Sequence, residues 1–389
     1  MKDLRIGFIG YGARGNLLEQ AHCPRRGARV VALADPSAEA RQKFSAKLGS
    51  DAWTTADHGE LLRRPDLDAV VIVSPDFLHE EHAVAALEAG KAVYLEKPMA
   101  ITVEGCDRIL RASMENGARL YVGHNLRHHP VFRKMKELVD GGAIGQVKGG
   151  WCRHFVAYGG DFYFKDWHAE RANTTGLLLQ KGAHDLDILH WLCGGYSRRV
   201  NAMGALTLYG KARGRRRPEE TPDAKAKLEN WPPLAQTGLN PALDVEDLSM
   251  MLMELDNGVF CSYQQCHYTP DCWRNYTIIG TEGRLENFND RPGEAVVRVW
   301  KRRVLYREEG DEQHFIPKVE GTHGGADPAI MAEFLRFARE GGKTETSPVA
   351  ARASVAAGCL ATHSLRHGGA PCDVPPLDPK VAAWFKRPS

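Results

Sequence analysis

The chain has 389 residues, enough for two domains, with 43% hydrophobic and 26% charged residues. A formal net charge of +2 argues against nucleic acid as a partner. The absence of any apolar run of about 18 residues argues against a membrane span. The first strand-like run begins at Leu4, which leaves no room for a signal peptide, and the nine cysteines lie without a Cys-x-x-Cys pair. These features predict a cytoplasmic protein with reduced thiols and no metal site.

In chain order, short apolar runs at 4–9, 29–34, 68–73, 92–95 and 119–122 predict strands buried on both faces, as in a parallel sheet. Helical stretches at 37–48, 57–63, 79–89 and 102–116 separate them. Alternation of this kind predicts a doubly wound Rossmann sheet over residues 1–124. The pattern then changes. A helix near 130–140, a strand near 146–157 and a helix near 181–193 lead into longer strands at 198–209, 247–256, 258–268, 273–280, 283–287 and 295–301. Val297 and Val299 alternate with Arg298 and Trp300, as in a sheet with one open face. With helices at 327–340 and 348–367, residues 125–389 form a second, α+β domain with a large, mostly antiparallel sheet. Residues 210–244 interrupt it with a basic, Pro-containing insertion, either a surface or subunit-contact loop or a lid.

The chemistry-bearing motifs follow strand ends. Gly10-Tyr11-Gly12-Ala13-Arg14-Gly15 fits Gly-x-Gly-x-x-Gly directly after the first strand. Gly10 permits the tight turn, Gly12 lets backbone approach a pyrophosphate, and Gly15 permits close packing. Asp35 ends the second strand, where a carboxylate accepts from the adenosine ribose hydroxyls and repels a 2′-phosphate. NAD is therefore expected rather than NADP, although Arg14 and Arg41 lie close enough in sequence to receive a phosphate. Asp35 also suits an N-cap. Ser74-Pro75 with His79, and Glu96-Lys97-Pro98, follow the next strands at the same carboxyl edge. A lysine there can hydrogen-bond a substrate hydroxyl and lower the cost of forming an alkoxide.

With these residues the chain closely resembles the glucose–fructose oxidoreductase/inositol dehydrogenase (Gfo/Idh/MocA) family. The resemblance continues through Gly123-His124-Asn125-Leu126-Arg127, Gly145-x-Val147 and Gly280-Thr281-Glu282-Gly283-Arg284-Leu285. It implies a Rossmann domain followed by a domain with an open sheet, NAD as cofactor, and a small carbohydrate substrate. It also implies a homodimer or homotetramer formed through that sheet. Asn125 is expected near the cofactor and Arg127 near the substrate.

Gln180-Lys181-Gly182-Ala183-His184 supplies the second catalytic candidate. Many members of the family carry Asp-x-x-x-His at this helix start, and a neutral imidazole can take the hydroxyl proton as hydride leaves. That role is carried onto His184, whereas Gln180 replaces the usual carboxylate. Gln180, Lys181, Arg153 and Trp167 are further substrate candidates, and Arg153, Lys165, Arg171 and Lys181 together suit an anionic sugar. His184, Asp187 and His190 make only a partial metal face. The sequence thus predicts an NAD-dependent oxidoreductase acting at a ring hydroxyl carbon through Lys97 and His184. The alternatives are a redox-neutral NAD-dependent glycoside hydrolase and a non-catalytic NAD sensor.

Overall fold

The computed structural model describes residues 2–49 and 52–387. The chain divides into two compact units, and neither is contiguous. One comprises residues up to His129 together with Glu320–Arg352 and the segment from Leu377 onward; the other comprises Pro130–Val319 and Ala353–Pro376. The sequence-based division after residue 124 therefore misses two segments that return to the first unit.

The first unit holds six parallel strands: β1 (Leu4–Ile9), β2 (Ala28–Ala34), β3 (Trp53–Thr55), β4 (Ala69–Ile72), β5 (Ala92–Leu95) and β6 (Leu120–Val122). Their order is β3-β2-β1-β4-β5-β6, so the chain reverses its direction of sheet growth between β1 and β4. In such sheets ligands bind beyond the carboxyl ends of the strands at that reversal. All four residues of β4 are buried, which is why the run reads as continuously apolar. The helix Val103–Asn116 shows how sequence sets a boundary. The Thr102 side chain accepts the Gly105 N–H, Gly117 ends the helix at φ 61°, and Cys106, Ile109 and Leu110 face the core. Burying Ile109 or Leu110 contributes about 1.5–3 kcal/mol each.

The second unit carries nine strands: β7 (Val147–Phe155), β8 (Ser197–Ala205), β9 (Leu248–Leu255), β10 (Phe260–Cys266), β11 (Trp273–Gly280), β12 (Arg284–Phe288), β13 (Val296–Trp300), β14 (Glu312–Phe315) and β15 (Cys372–Asp373). Their order is β14-β13-β12-β11-β7-β10-β9-β8-β15, antiparallel except for the β7–β10 pair. The strand expected over 198–209 ends at Ala205. Beyond it, the Asp247 carboxylate accepts the N–H groups of Thr207, Leu208 and Tyr209 at 2.7–2.8 Å and bends the chain into a turn. The Gly182–Cys193 helix packs on β7 and β10, and it selects one face of the sheet as core. Across the other face, Trp151, Met203, Met250, Leu252 and Phe260 are exposed. Among the described residues no helix is long and apolar enough to cross a membrane, and all nine cysteines are free thiols.

Candidate active site

In the first unit the expected residues gather at the carboxyl edge of the sheet. Gly10 has φ +89°, and a Cβ there would strike the Ser74 backbone nitrogen at 2.8 Å, so the turns after β1 and β4 approach closely only with glycine. A Cβ on Gly12 would meet nothing within 4 Å, which leaves the loop backbone open on that side. The third glycine makes room for the Tyr11 ring, 2.9 Å from its would-be Cβ. After the loop, Ala13–Leu17 form a 3-10 turn that includes Ala13 and Arg14, and Leu18–Ala21 add one short α-turn. Asp35 accepts the N–H groups of Tyr11 and Ser37, both at 2.8 Å. A carboxylate has about four acceptor positions, so two remain for ribose hydroxyls. The open backbone at Gly12 and this carboxylate fit an adenine dinucleotide.

Both guanidiniums considered for a 2′-phosphate are committed elsewhere. Arg41 donates to the carbonyls of Asp35 (2.6 Å) and Pro36 (3.0 Å). Arg14 pairs with Glu96 at 2.6 Å and, through two nitrogens, with Asp327 at 3.0 Å. Glu96 also accepts the Lys97 N–H at 2.6 Å, so one carboxylate ties the glycine loop to the Glu-Lys-Pro turn. Lys97 itself is half-buried at that edge. His79 is buried, its ring nitrogens 2.7 Å from the Pro98 carbonyl oxygen and 2.9 Å from that of Ser74. It thus sets the spacing of the two turns, Pro75 included. Asn125 donates to Asp327 at 3.0 Å, and Arg127 donates to the Glu345 carbonyl at 2.8 Å. Asp327 was not singled out by sequence. Burial opposes its charge, but hydrogen bonds from His323 and Arg14 outweigh that and hold it well below the usual carboxylate range.

In the second unit, Gln180 and Lys181 lead into the Gly182–Cys193 helix and His184 lies within its first turn. The next residue, Asp185, is fully buried and organises the surroundings. It accepts from His154 Nδ1 of β7 (2.8 Å), Tyr263 of β10 (2.8 Å), Arg274 Nε of β11 (3.0 Å) and the Tyr276 hydroxyl. Desolvation works against the Asp185 charge, yet His154 and Arg274 hold its pKa far below the ordinary value. Burial and the Arg274 charge push the His154 imidazole down to about 3 despite Asp185, so it is neutral near pH 7. Burial followed by Arg274 lowers the Lys181 ammonium to about 8, with Asp185 opposing. Its Nζ lies 5.2 Å from the Tyr163 ring centroid. His267, also fully buried and held neutral by burial, packs edge-on to Tyr163.

The structure disperses the other expected cations. Strand alternation puts His154 on the core face and Arg153 on the open face, where it donates to Asn275 at 2.7 Å. Arg153 is therefore not brought to the helix head. Lys165 pairs with the buried Asp161 at 3.0 Å, and Arg171 pairs with Glu246 at 2.8 Å. Of these four cations, Lys181 stands beside the Asp185 network, so the case for an anionic sugar loses its cluster. Trp167 stacks on His168 at 3.7 Å. His190 Nε2 is taken by Ser197 at 2.8 Å, which explains that histidine without a metal. The 210–244 insertion folds onto the 159–170 segment. Asn230 and Gln236 donate to Asp161 at 2.6 and 3.0 Å, and Tyr158, Trp231 and Lys227 help line a pocket of about 230 Å³.

Comparison with known proteins agrees with this architecture. Residues 4–124 match the oxidoreductase family with an NAD-binding Rossmann fold, GFO_IDH_MocA, and residues 132–286 match the GFO/IDH/MocA C-terminal domain. An inositol 2-dehydrogenase of Ralstonia nicotianae is 29% identical over 90% of this chain and 98% of its own. An inositol 2-dehydrogenase/D-chiro-inositol 3-dehydrogenase of Shouchella clausii is 28% identical over 88% and 94%. A levoglucosan dehydrogenase structure in complex with NADH and levoglucosan superposes with a TM-score of 0.78 at 21% identity, covering 96% of this chain and all of that one. The chain belongs to the GFO/IDH/MocA family. It is an NAD-dependent oxidoreductase.

Proposed function

We propose that the protein oxidises a ring hydroxyl of a sugar, polyol or sugar derivative to a ketone, in keeping with the inositol and levoglucosan dehydrogenases it resembles. Gly10, Tyr11, Gly12, Ala13, Gly15, Asp35, Ser74, Pro75 and Asn125 hold NAD, with Arg14, His79 and Glu96 bracing the loops. Bound NAD supplies the hydride acceptor. Lys97 hydrogen-bonds the reacting hydroxyl and stabilises its developing negative charge. His184 takes the hydroxyl proton. The Lys181 ammonium binds a neighbouring hydroxyl, while Arg127, Trp167 and Gln180 contribute further substrate contacts. The products are the ketone, NADH and one proton.

The observation that carries this reading is the head of the Gly182–Cys193 helix. An imidazole and a cation of lowered basicity stand there on a turn that Asp185 anchors to three strands. A base held on such a support is pre-organised for proton transfer, whereas a surface histidine is not. Gln180, standing in place of a carboxylate, favours a second reading, the redox-neutral hydrolysis of a glycoside. A panel of sugars, polyols and aryl glycosides, followed for NADH and for released aglycone, separates the two. Accumulating NADH supports the dehydrogenase; aglycone without net NADH supports the hydrolase; neither product refutes both. The exposed face bearing Met203, Met250, Leu252 and Phe260 is assigned to self-association as a homodimer or homotetramer. Leu252→Glu should then lower the oligomer mass measured by light scattering, and an unchanged mass would refute the assignment.

A further inference from the structure

Away from the residues assigned above, two imidazoles and a carboxylate of the first unit converge on one point. His58 begins the short helix His58–Leu62, whose entry is fixed by Asp57 accepting the Gly59 N–H at 2.8 Å. Glu81 and His82 lie in the first turn of the helix His79–Glu88. One ligand atom from each of the three falls within 4.8 Å of the other two. His58 Nε2 is 3.6 Å from Glu81 Oε1, and the two imidazole centroids are 4.5 Å apart. Metal–nitrogen and metal–oxygen bonds of about 2.0–2.1 Å set a ligand–ligand edge of about 3.4 Å in a tetrahedron. The side chains are thus within a small rotation of a coordination shell, and Glu81 is exposed enough to make it.

The residue behind the cluster completes the pattern. Ser74 Oγ lies 2.9 Å from His82 Nδ1, which occupies that nitrogen and leaves Nε2 as the ring atom available to an ion. Metal-binding imidazoles are commonly oriented by just such a hydrogen bond on the other ring nitrogen. A surface ion pair alone would account for His58 and Glu81. It would not account for a buried imidazole, His82, with a ligand atom within 4.8 Å of theirs.

We propose that His58, Glu81 and His82 bind a divalent transition-metal ion of the zinc class, with Ser74 setting the ligating nitrogen of His82. Two imidazoles and one carboxylate suit Zn²⁺, Co²⁺ or Ni²⁺, whereas Ca²⁺ and Mg²⁺ prefer shells built of oxygen. Three protein ligands leave a fourth position for water. Because Ser74 also belongs to the turn assigned to NAD, the ion site and the cofactor edge share one hydrogen bond. Sequence spacing conceals the site, since the whole of β4 separates His58 from Glu81 and His82.

Titration of the full chain, free of NAD, with Zn²⁺ by calorimetry and with Co²⁺ by visible absorption tests the proposal. The expected result is one ion per chain and a Co²⁺ spectrum lacking the thiolate charge-transfer band. His58→Ala and Glu81→Gln, both at solvent-accessible positions, should each weaken binding by about tenfold or more, and Ser74→Ala by about tenfold. His58→Ala should bind NAD as the parent does, which shows that its fold is intact. Binding unchanged in His58→Ala and Glu81→Gln would overturn the proposal. So would a thiolate band, which would place the ion at cysteines such as Cys193 and Cys261, whose sulfurs lie 3.6 Å apart.

Discussion

The cofactor edge of the first unit and the helix head of the second are built on opposite plans. At the first, consecutive residues after parallel strands do the work, and backbone geometry is what matters: Gly10, Gly12, the N–H groups that Asp35 accepts, and the turn at Lys97. Its carboxylates, Glu96 and Asp327, share one cation, Arg14. At the second, a single buried carboxylate, Asp185, serves donors from three strands, with Arg274 and Lys181 close by. The first arrangement offers loops and a ribose-binding carboxylate suited to holding a dinucleotide. The second crowds cations and neutral imidazoles around one anion, and there burial and the Arg274 charge lower the Lys181 ammonium to about 8. Binding and proton handling are thereby assigned to different parts of the chain.

The contrast breaks most readily at its ends. Lys97→Ala should keep the fold and much of the NAD affinity while cutting turnover about a hundredfold or more, measured by steady-state kinetics beside NAD calorimetry. Near-parent turnover would remove Lys97 from the chemistry. Asp185→Asn should destabilise the second unit by about 3 kcal/mol, because it leaves the part-buried Arg274 guanidinium without its nearest anion and His154 and two tyrosines without their shared carboxylate. A denaturant midpoint equal to the parent's would contradict the place given to Asp185. His184→Asn should lower kcat far more than it changes NAD affinity, and NAD should bind more tightly than NADP. Calorimetry showing tighter NADP binding would sink the role given to Asp35. The smallest effect belongs to Arg153→Ala. That side chain lies on the open face, so kcat/KM should stay within experimental error of the parent; a marked loss would mean the face assignment misses its role.

The same contrast explains what the sequence made legible. Strands β1, β2, β4 and β5 were visible because burial on both faces turns them into unbroken apolar runs, and the motifs sit at their ends. The edge strands β3 and β14 were missed: one is three residues long, and the other, Glu-Gln-His-Phe, is polar enough to pass for loop. His184 and Lys181 were visible through the resemblance. Asp185 stood beside them in the sequence, but its importance comes from His154, Tyr263, Arg274 and Tyr276, contributed by three distant strands, and no local spacing encodes that. Arg153 misled for the converse reason: it neighbours His154 in sequence, yet the period of two in a strand sends adjacent side chains to opposite faces. Asp327 lay hidden because its segment returns to the first unit only after eight of the nine strands of the second sheet.

The pH dependence of kcat/KM for alcohol oxidation tests the division of labour most directly, since it reports ionisations of the free enzyme. His184 is proposed to act as the neutral base, so activity should be lost on the acid side, where a protonated imidazole cannot accept the hydroxyl proton. Lys181 is proposed to act as the ammonium, which persists below its lowered pKa of about 8 and is lost above it, so activity should fall there. The account predicts a bell whose acid limb disappears in His184→Asn and whose alkaline limb disappears in Lys181→Met, with NAD affinity held in both. A profile of unchanged shape in the two variants would contradict it.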